Sequence, residues 1–576
     1  MQVIFDGQYL NVRLNTKIYK HILNITEEAP YFEYLYNSGI MCLPPTKRIA
    51  KKLFELGLSF DITASVFFDY FMEKTIKNGQ VKNEPDFSLL KPLELRPYQK
   101  DGVNYMLSSN KNFLLGDEMG LGKSVQIASY LFYKQAFPAL IICPASLKLN
   151  WEREIGLWAK KKCLVLEGLT PYPIQELLNE FPVVIINYDI LGRKDKKGIK
   201  EESERVREAK KRNLPYKKKK TGIKGWVALL KEINFKNIIV DECQFIGEEE
   251  TARTQSVIGI VKSKINRNAR FIPLSGTPYT SAAEQFFTAL HLIDPAHFDN
   301  RWKYKFRFCD PVHNGYGWVF KGLSNGEQLH NLVSKIMLRR LKKDVAEDLP
   351  EKIKSIVPMK LDKKYLQSYK ENEKVLLSDN IKNGNQTYQD LKRGAYYAKH
   401  NSCITWVKEY LEINNKLVVI VYHREAFDQI MKEFSRIAVG INGTTPSNKR
   451  QGIVDSFKND NNIKLFCGQI RSAGVGITLT AASGLAFIEF GDTASEHLQA
   501  EDRIHRETQT AERVLIFYLI AQNTIDEDII DKIKTGYENQ KKVLDGEKNA
   551  QFLSDSPADF AKSVLNARKE KVIQFL

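Results

Sequence analysis

Short apolar runs separated by helix-length segments recur along most of the chain. A first series of these runs lies at 139–143, 183–187, 238–241 and 271–275. A second series follows at 417–422, 465–467, 485–490 and 514–519. Uninterrupted apolar runs that alternate with helical segments are typical of parallel strands buried on both faces. The pattern therefore predicts an α/β protein with two parallel-sheet lobes in tandem, and a ligand is expected where the strand ends of both lobes converge.

The pattern also suggests how the chain divides into domains. The predicted segments are a small accessory domain (1–90), a first lobe (91–298), a helical protrusion with the connection between the lobes (299–400), a second lobe (401–535) and a helical tail (536–576). Within the accessory domain, residues 3–14 alternate as strands do and residues 47–56 are amphipathic as a helix would be.

An insert at 193–224 separates two predicted strands of the first lobe and is rich in lysine and arginine. Such charge runs are usually solvated, and a role in gripping phosphates is the less common alternative.

The stretch NFLLGDEMGLGKS, at 112–124, combines a short apolar run, a glycine-containing turn and the start of a predicted helix. This arrangement is that of a phosphate-binding loop. Gly120 and Gly122 would allow the backbone N–H groups to point at an anion at the start of the helix. Lys123 would then lie against the β and γ phosphates, and the Ser124 hydroxyl would bind Mg²⁺.

One position departs from this motif, because Asp117 stands where GxxxxGK[ST] has its first glycine. A glycine-rich turn before an ordinary core helix therefore stays open as an alternative on this stretch alone. The choice depends on whether the other groups that a nucleoside triphosphatase needs follow later in the chain.

Two adjacent carboxylates end a later apolar run. Asp241 and Glu242 follow Ile238, Ile239 and Val240, which are β-branched and predict a buried strand. A strand of this kind would place both carboxylates at the sheet edge beside the phosphate loop. Asp241 would bind the shell of the metal, and Glu242 would orient or deprotonate the attacking water.

Positive charge for the transition state of phosphoryl transfer is available near the end of the second lobe. The stretch QAEDRIHR, at 499–506, places Arg503 and Arg506 three residues apart, which predicts that both guanidinium groups share one helix face. Arginines that reach a transferring phosphoryl group from a moving part of a protein raise its rate by about 10³ to 10⁵. A solvated helix face is the alternative for an isolated pair.

Composition adds an expected partner. The chain of 576 residues has 86 Lys+Arg against 69 Asp+Glu and a formal net charge of +17, which favours a polyanion such as nucleic acid over lysine used only for solubility. Its seven cysteines show no zinc-ligand spacing, so we expect a reduced, intracellular protein. No apolar run reaches the roughly 18 residues of a membrane span, and no secretory signal is predicted.

The order of these motifs resembles that of the superfamily 2 helicases. The stretches that carry the resemblance are LRPYQ (95–99), DEMGLGKS (117–124), NY (187–188), DECQ (241–244), SGTP (275–278), MLRR (337–340), SAGVGITL (472–479) and QAEDRIHR (499–506). Within that superfamily, DEMGLGKS, LSGTP, MLRRLKKDV and QAEDRIHR are similar to the SWI/SNF-type DNA translocases. The stretches SGTPYTSAAEQFFTALHLIDPAHF, FCDPVHNGYGW and MLRRLKKDVAEDLPEK most resemble the annealing-helicase branch, also called HepA-related.

The resemblance implies two RecA-like lobes that bind ATP and Mg²⁺ between them, with a helical insertion and the small N-terminal domain. It assigns nucleotide contacts in the first lobe to Arg96, Gln99, Asp117, Gly120, Gly122, Lys123 and Ser124. In the second lobe, it assigns nucleotide sensing to Gly474 and Gly476 and transition-state stabilisation to Arg503 and Arg506. Residues that contact DNA or couple hydrolysis to DNA would be Asn187, Gln244, Thr277 and Thr478. Asp117 belongs to this family's own form of the loop.

Three short stretches of the chain depart from the family pattern. Gln244 stands where the family more often has histidine, and 247–249 replaces its usual lysine and asparagine. Glu507 and Thr508 stand where the family commonly has an apolar residue and glycine. None of these departures removes a catalytic group.

These inferences predict an ATP hydrolase that translocates on DNA and remodels branched or partly unwound DNA by branch migration or reannealing. A strand-separating DNA helicase, an RNA helicase and a nucleotide-gated DNA-binding scaffold are the alternatives. Duplex, forked or branched DNA is the expected partner, and no membrane is expected. The lysine, asparagine and isoleucine content favours a bacterial or phage-host cytoplasm, with the nucleus as the location if the source is eukaryotic.

Overall fold

The structure is a computed structural model of the 576-residue chain. It describes residues 2–5, 10–13, 33–35, 40–43, 53, 58–60, 85–109, 111–194, 223–279, 282–320, 322–346, 349–374, 384–473, 477–547, 550 and 552. These residues fall into two compact units, Met1–Asp86 and Phe87–Leu576.

The first unit contains a five-stranded sheet of order β3-β4-β2-β1-β5. Its strands are β1 (Gln2–Phe5), β2 (Leu10–Arg13), β3 (Glu33–Leu35), β4 (Ile40–Leu43) and β5 (Ser59–Phe60). The strands expected within 3–14 are therefore β1 and β2, which pair antiparallel. Most of the helix expected at 47–56 lies outside the described residues.

The second unit is built on two separate parallel sheets. Strands in its first half are β6 (Leu114–Leu115), β7 (Ala139–Cys143), β8 (Cys163–Val165), β9 (Val183–Asn187), β10 (Arg193–Lys194), β11 (Ile223–Lys224), β12 (Asn237–Asp241), β13 (Arg270–Leu274), β14 (Pro311–His313), β15 (Trp318–Phe320) and β16 (Met337–Leu338). Seven of them form the first parallel sheet, in the order β16-β6-β13-β12-β7-β9-β8.

The second sheet has six parallel strands in the order β17-β22-β21-β18-β20-β19. These strands are β17 (Glu351–Pro358), β18 (Leu417–Val421), β19 (Ala438–Ile441), β20 (Leu465–Gln469), β21 (Gly484–Phe487) and β22 (Arg513–Ile520). The prediction of an α/β fold with two tandem parallel-sheet lobes is confirmed.

Helices cover both faces of the two sheets. Those of the first half are α1 (Pro97–Ser108), α2 (Lys123–Lys134), α3 (Lys148–Glu154), α4 (Tyr188–Leu191), α5 (Val227–Leu230), α6 (Ala252–Val261), α7 (Phe287–Ile293), α8 (Arg301–Phe308), α9 (Gly326–Val333) and α10 (Lys342–Val345). Those of the second half are α11 (Lys363–Lys374), α12 (Gly384–Ile413), α13 (Arg424–Glu433), α14 (Ser447–Asn459), α15 (Ile470–Ala473), α16 (Ala494–Glu501) and α17 (Ile525–Leu544). None of the described helices is both long and apolar enough to cross a bilayer.

Alternate residues of one strand enter different cores, as expected for a sheet that is covered on both faces. Leu140 and Ile142 of β7 lie in one apolar cluster, and Ile141 lies in another. In the second lobe, Val418 and Val419 of β18 are divided in the same way. The uninterrupted apolar runs of the sequence follow directly from this two-sided burial.

The segment between the lobes contributes a strand to each sheet, which differs from the expected protrusion and connection at 299–400. β16 pairs with β6 of the first sheet, and β17 pairs with β22 along the edge of the second. Neither strand has a strong apolar signal, because β16 has two residues and the edge strand β17 alternates between lysine and apolar residues.

Helix α17 packs against both lobes. It begins on the second lobe, where Ile529 and Ile530 join the apolar core. It ends against the first lobe, where Val543 lies in the apolar core and the Tyr279 hydroxyl donates to the Asn539 carbonyl at 2.8 Å. The helix therefore holds the carboxyl ends of the two sheets near one another, which is where a ligand was expected.

Candidate active site

The phosphate loop connects β6 to α2 and depends on two glycines in the left-handed region. Gly120 has a φ of +86° and Gly122 a φ of +70°, which other residues seldom adopt. A Cβ at Gly122 would lie 2.4 Å from the Nε2 atom of Gln99, which shows how closely this side chain approaches the loop. The predicted strand, loop and helix are therefore present, and Gln99 packs directly against the loop.

Lys123 lies at the start of α2 with its ammonium group turned back into the loop. Its Nζ donates to the carbonyl oxygens of Asp117 at 2.7 Å and of Glu118 at 3.2 Å. Burial lowers the pKa of Lys123, while the carboxylates of Glu242, Asp117, Asp241 and Asp502 act in the opposite direction. The ammonium group is thus surrounded by oxygen acceptors and by carboxylates from both lobes.

Asp117, which stands in place of the first glycine of the loop, is fully buried and forms an ion pair. Its Oδ1 accepts from Nε of Arg340 at 2.9 Å, and its Oδ2 accepts from Nη2 of Arg340 and, at 3.0 Å, from Nε2 of Gln126. A planar guanidinium that meets a carboxylate on two atoms is a strong and specific pair. Asp117 therefore joins the loop to the residue pair that follows β16.

The segment that follows β16 places Arg339, Arg340 and Lys342 next to the phosphate loop. Nη1 of Arg339 donates to the carbonyls of Gly116 at 2.6 Å and Gly276 at 3.1 Å. Lys342 is buried, and its Nζ forms an ion pair with Asp502 and donates to the His505 carbonyl at 2.8 Å. Since Asp502 belongs to the second lobe, Lys342 joins the loop region to that lobe.

Asp241 ends β12 in a buried position at the same sheet edge. Trp151 Nε1 donates to its Oδ2 at 2.8 Å, and the backbone N–H of Glu242 donates to its Oδ1 at 2.9 Å. The hydroxyl of Tyr188 donates to the Asp241 carbonyl at 2.6 Å. Burial, and then the neighbouring Glu242 carboxylate, raise the pKa of Asp241 to about 7, although the Trp151 N–H and Lys123 lower it.

A chain of hydrogen bonds runs from Glu242 to Thr277. Gln244 Nε2 donates to Glu242 Oε2 at 2.7 Å, and the Ser275 hydroxyl donates to Gln244 Oε1 at 2.7 Å. The Thr277 N–H in turn donates to the Ser275 hydroxyl at 3.0 Å. Glu242 itself has a left-handed backbone, with φ of 53° and ψ of 57°, of the kind that often marks functional positions.

The two arginines of the second lobe do not share a helix face, so that expectation is wrong. Helix α16 ends at Glu501, and Arg503 and Arg506 lie in the turns that follow. Asp502, the first residue after the helix, forms an ion pair with Lys342 of the other lobe.

Both arginines nevertheless lie in the site. Arg503 is buried, and burial followed by repulsion from Arg506 lowers its pKa to about 9, while Asp502 and Glu242 attract it. Arg506 Nη1 donates to the Thr478 hydroxyl at 2.5 Å. Arg503 Nη1 donates to the Ile477 carbonyl at 3.4 Å, and Arg506 is joined to Thr478.

The start of α1 approaches the second lobe on another side of the loop. The Arg96 N–H donates to Gln99 Oε1 at 3.1 Å, and Gln99 Nε2 donates to the Leu121 carbonyl at 3.5 Å. Arg96 Nη2 lies 2.6 Å from Glu507 Oε2, and the Tyr98 hydroxyl donates to Glu507 Oε1 at 3.1 Å. Arg96 and Gln99 therefore lie together beside the loop.

Three further predicted site residues are buried or partly buried, and two others lie outside the described residues. Asn187 is buried at the end of β9, and Ser124 is partly buried in the first turn of α2. The Thr277 hydroxyl is buried and has no hydrogen-bond partner among the described residues. Gly474 and Gly476 lie outside the described residues, as does most of the 193–224 insert between β10 and β11.

Sequence reasoning did not assign a role to several residues of the site. Trp151 binds Asp241, Lys342 binds Asp502, and Glu507 binds Arg96. Each of these contacts joins distant parts of the chain. Lys342 lies in the quoted MLRRLKKDV stretch, and Glu507 was visible as a departure from the family pattern. Trp151 carries no signal that separates it from a core residue.

The arrangement fits a nucleoside triphosphate with magnesium. Such a ligand needs a glycine backbone, a lysine beside the loop and a buried carboxylate at a strand end. Gly120 and Gly122, the partly buried Lys123 with its two carbonyl acceptors, and the buried Asp241 supply these groups. Within the described part of the chain, no cluster of three or more His, Cys, Asp or Glu side chains forms a metal site. Mg²⁺ bound through few protein ligands and through phosphate oxygens does not require such a cluster.

Comparison with known protein families gives two matches that together cover the lobes. The SNF2-related domain matches residues 98–421, which is more than half of the chain, and the Helicase conserved C-terminal domain matches residues 402–508. These matches confirm the resemblance to SWI/SNF-type proteins and, at the level of the family, the expectation of an ATP hydrolase of the helicase class.

Curated relatives with similar sequences come from animals. A Caenorhabditis elegans homolog of SWI/SNF-related matrix-associated actin-dependent regulator of chromatin subfamily A-like protein 1 is 30% identical over 75% of this chain and 59% of its own length. The DNA annealing helicase and endonuclease ZRANB3 of Bos taurus is 31% identical over 83% of this chain and 41% of its own length. The chain thus spans about two fifths to three fifths of the length of these relatives.

A solved structure of the Sulfolobus solfataricus SWI2/SNF2 ATPase core in complex with dsDNA is 22% identical, covers 80% of this chain and 98% of its own, and has a TM-score of 0.35. A structure of the Sulfolobus solfataricus SWI2/SNF2 ATPase core domain is 20% identical, covers 84% of this chain and 100% of its own, and has a TM-score of 0.34. Scores this low do not support a residue-by-residue comparison.

The Asp117–Arg340 pair predicts that restoring the common phosphate-loop sequence destabilises the protein. Asp117→Gly leaves the guanidinium of Arg340 without its carboxylate partner, and breaking a buried pair costs about 3–5 kcal/mol. We expect the free energy of unfolding, measured by denaturant titration, to fall by an amount of this order. Adding Arg340→Met to Asp117→Gly should recover part of the loss, because it removes the unpaired charge. Unchanged stability of Asp117→Gly would contradict the structural role of the pair.

Proposed function

Because the chain belongs to the SNF2-related family, we propose that it is an ATP-driven translocase that moves on DNA. The observation that carries this proposal is that Asp502 of the second lobe lies beside the phosphate loop that holds Lys123. Asp502 forms an ion pair with Lys342 there, and a Cβ at Gly120 would lie 3.3 Å from its Oδ2 atom. A site of this kind can close on a triphosphate and open again after hydrolysis. Such a cycle converts phosphoryl chemistry into movement of one lobe relative to the other.

We assign the ATP chemistry to residues of both lobes. Lys123 would hold the β and γ phosphates, and Ser124 and Asp241 would hold Mg²⁺, which neutralises the charge that develops on the phosphates. Glu242 would orient the attacking water and accept its proton. Arg503, which is buried in the second lobe one residue after Asp502, would stabilise the transition state.

Other residues are assigned to the nucleotide base, and Arg506 has its own assignment. Gln99 would read the adenine, with Arg96 beside it at the start of α1. Arg506 would join Arg503 in stabilising the transition state, and its hydrogen bond to Thr478 would connect it to the residue that we assign to a DNA phosphate. Asp117 would act through Arg340, and Gly120 and Gly122 would admit the phosphates. Gly474 and Gly476 keep their proposed role as nucleotide sensors in the second lobe.

The hydrogen-bonded series from Glu242 to Thr277 is our candidate for the coupling between hydrolysis and DNA. Gln244 occupies the middle of the series and contacts both Glu242 and Ser275. A change at the Glu242 carboxylate would therefore change the hydrogen bonding of the Ser275–Thr277 turn. Thr478 would contact a DNA phosphate, Thr277 would link hydrolysis to the grip on DNA, and Asn187 would contact DNA or take part in the coupling.

We further propose that DNA is held mainly through its phosphates, because a motor that passes every sequence cannot depend on base edges. The formal charge of +17 supports a polyanionic partner. The name of the ZRANB3 relative supports duplex reannealing or branch migration on forked or branched DNA as the output. Strand separation is the second candidate, and a DNA-binding scaffold with little turnover is a third.

We place the protein inside the cell, as expected for a DNA translocase. The animal relatives named above do not support the expected bacterial or phage-host origin.

ATP hydrolysis measured with and without duplex DNA tests the proposed function. We expect DNA to stimulate the wild-type rate and Lys123→Ala to abolish it, because the ammonium group that holds the phosphates is lost. Lys111→Ala, an exposed residue just before β6, is the matched control and should retain the wild-type rate. Hydrolysis that does not respond to DNA, or near-normal hydrolysis by Lys123→Ala, would contradict the proposal. Forks, four-way junctions, single strands and RNA as stimulators would rank the candidate substrates.

Gln244→Ala tests the coupling series. Removing the amide disconnects Glu242 from Ser275 while the carboxylate, lysine and arginines stay in place. We expect hydrolysis without DNA to change less than twofold and the stimulation by duplex DNA to fall by about tenfold, which corresponds to about 1.4 kcal/mol of coupling. Gln255→Ala, an exposed amide on α6, is the control. Equal loss of both rates would mean that Gln244 supports catalysis and not coupling.

A further inference from the structure

Glu507 connects the second lobe to the first at the edge of the proposed nucleotide site. Its Oε2 lies 2.6 Å from Arg96 Nη2, and its Oε1 accepts from the Tyr98 hydroxyl at 3.1 Å. One carboxylate thus meets two donors that lie within three residues of each other at the start of α1. Both contacts join parts of the chain that are about 400 residues apart.

The position of Glu507 links the two groups of residues on which hydrolysis would depend. It directly follows Arg506 in the turns after α16. Its partner Arg96 begins the turn that contains Gln99, and Gln99 packs against Gly122 of the phosphate loop. The loop that carries the arginines is therefore tied to the helix that would read the base.

The contact depends on the carboxylate at position 507, because an apolar side chain there could not pair with Arg96 or accept from Tyr98. The Tyr98 phenol is suited to its part of the contact, because burial, followed by the charge of Glu507, raises its pKa above the ordinary value. Tyr98 therefore remains a proton donor through the neutral range.

We propose that Glu507 is a positioning residue that latches the lobes in the closed arrangement and so increases the affinity for ATP. This inference rests on the proposed function and adds a determinant of nucleotide affinity to it. A latch of this kind acts on the fraction of molecules that is closed, and the apparent affinity of a ligand decreases in proportion to that fraction. The arginines and Lys123 would be untouched, so the chemical step would keep its rate once ATP is bound.

Only a moderate effect is expected, since the Arg96 side chain is 53% exposed and the Glu507 side chain 21%. Pairs this open to water contribute little each, and the Tyr98 hydrogen bond adds to the ion pair. We expect Glu507→Ala to raise the KM for ATP about three- to tenfold, with kcat changed less than twofold. Glu507→Gln, which keeps an acceptor for Tyr98 but loses the charge, should give an intermediate KM.

The experiment is DNA-stimulated ATP hydrolysis by the full chain at a series of ATP concentrations. Glu512→Gln, an exposed acid in the same stretch of chain, is the matched control and should keep the wild-type KM. Tyr98→Phe removes the hydroxyl from the opposite lobe without shortening the ring. Because Tyr98 and Glu507 share one contact, the double variant Tyr98→Phe with Glu507→Ala should raise KM less than the product of the two single effects.

Several results would overturn the latch. An unchanged KM in Glu507→Ala, a fall confined to kcat, or independent effects of Tyr98→Phe and Glu507→Ala would each show that the contact does not set closure. If Glu507→Ala does not fold, the KM of Tyr98→Phe decides, with no change counting against the proposal. Failure of the latch leaves wild-type hydrolysis intact, whereas a wild-type protein that hydrolyses no ATP would refute the proposed function and this inference with it.

Discussion

The arrangement of the second unit depends on how the positive charge of Lys123 is balanced. Removing an ammonium group from water is costly unless carboxylates and hydrogen-bond acceptors compensate. Two carbonyl oxygens bind the group directly, and four carboxylates act on it from further away. Three of those carboxylates belong to the first lobe, and the fourth, Asp502, belongs to the second. The charge balance of the phosphate loop therefore already includes the opposite lobe.

The segment that connects the lobes is also held by pairing cations with carbonyl and carboxylate oxygens. After β16 it places Arg339 against loop carbonyls, Arg340 against Asp117 and Lys342 against Asp502. Three cations within residues 339–342 thus bind the phosphate loop and connect it to the second lobe. Helix α17 supports the same geometry from the outside, because it packs on both lobes. The connection between the lobes is therefore itself bound to both of them, and the ion pair of Glu507 with Arg96 adds a further contact.

Much of this architecture could be predicted from the sequence because its signals are local. Strands buried on both faces give unbroken apolar runs, which is why β7, β9, β12 and β18 were expected close to where they lie. The phosphate loop was also predictable, since glycines, lysine and serine act within a few residues of each other. The two-residue β16 and the lysine-containing edge strand β17 lacked such a signal and were assigned to the connection.

The parts that could not be predicted are contacts between distant positions. The sequence shows that Asp117 departs from the common loop, but not that Arg340 is its partner. Likewise, the three-residue spacing of Arg503 and Arg506 predicts that both lie on one helix face. In the structure α16 ends at Glu501, so both arginines and Asp502, which pairs with Lys342, follow the helix. The spacing of residues along the chain does not predict contacts between residues that are far apart in the sequence.

The central claim is that arginine from one lobe completes the chemistry of the other, and Arg503→Ala tests it most directly. ATP binding and single-turnover hydrolysis would be measured with saturating duplex DNA, with Arg513→Ala, an exposed arginine of β22, as the control. The account predicts that Arg503→Ala retains ATP affinity within a few-fold and loses hydrolysis by about 10³-fold or more. A hydrolysis rate within a few-fold of the wild type would contradict it.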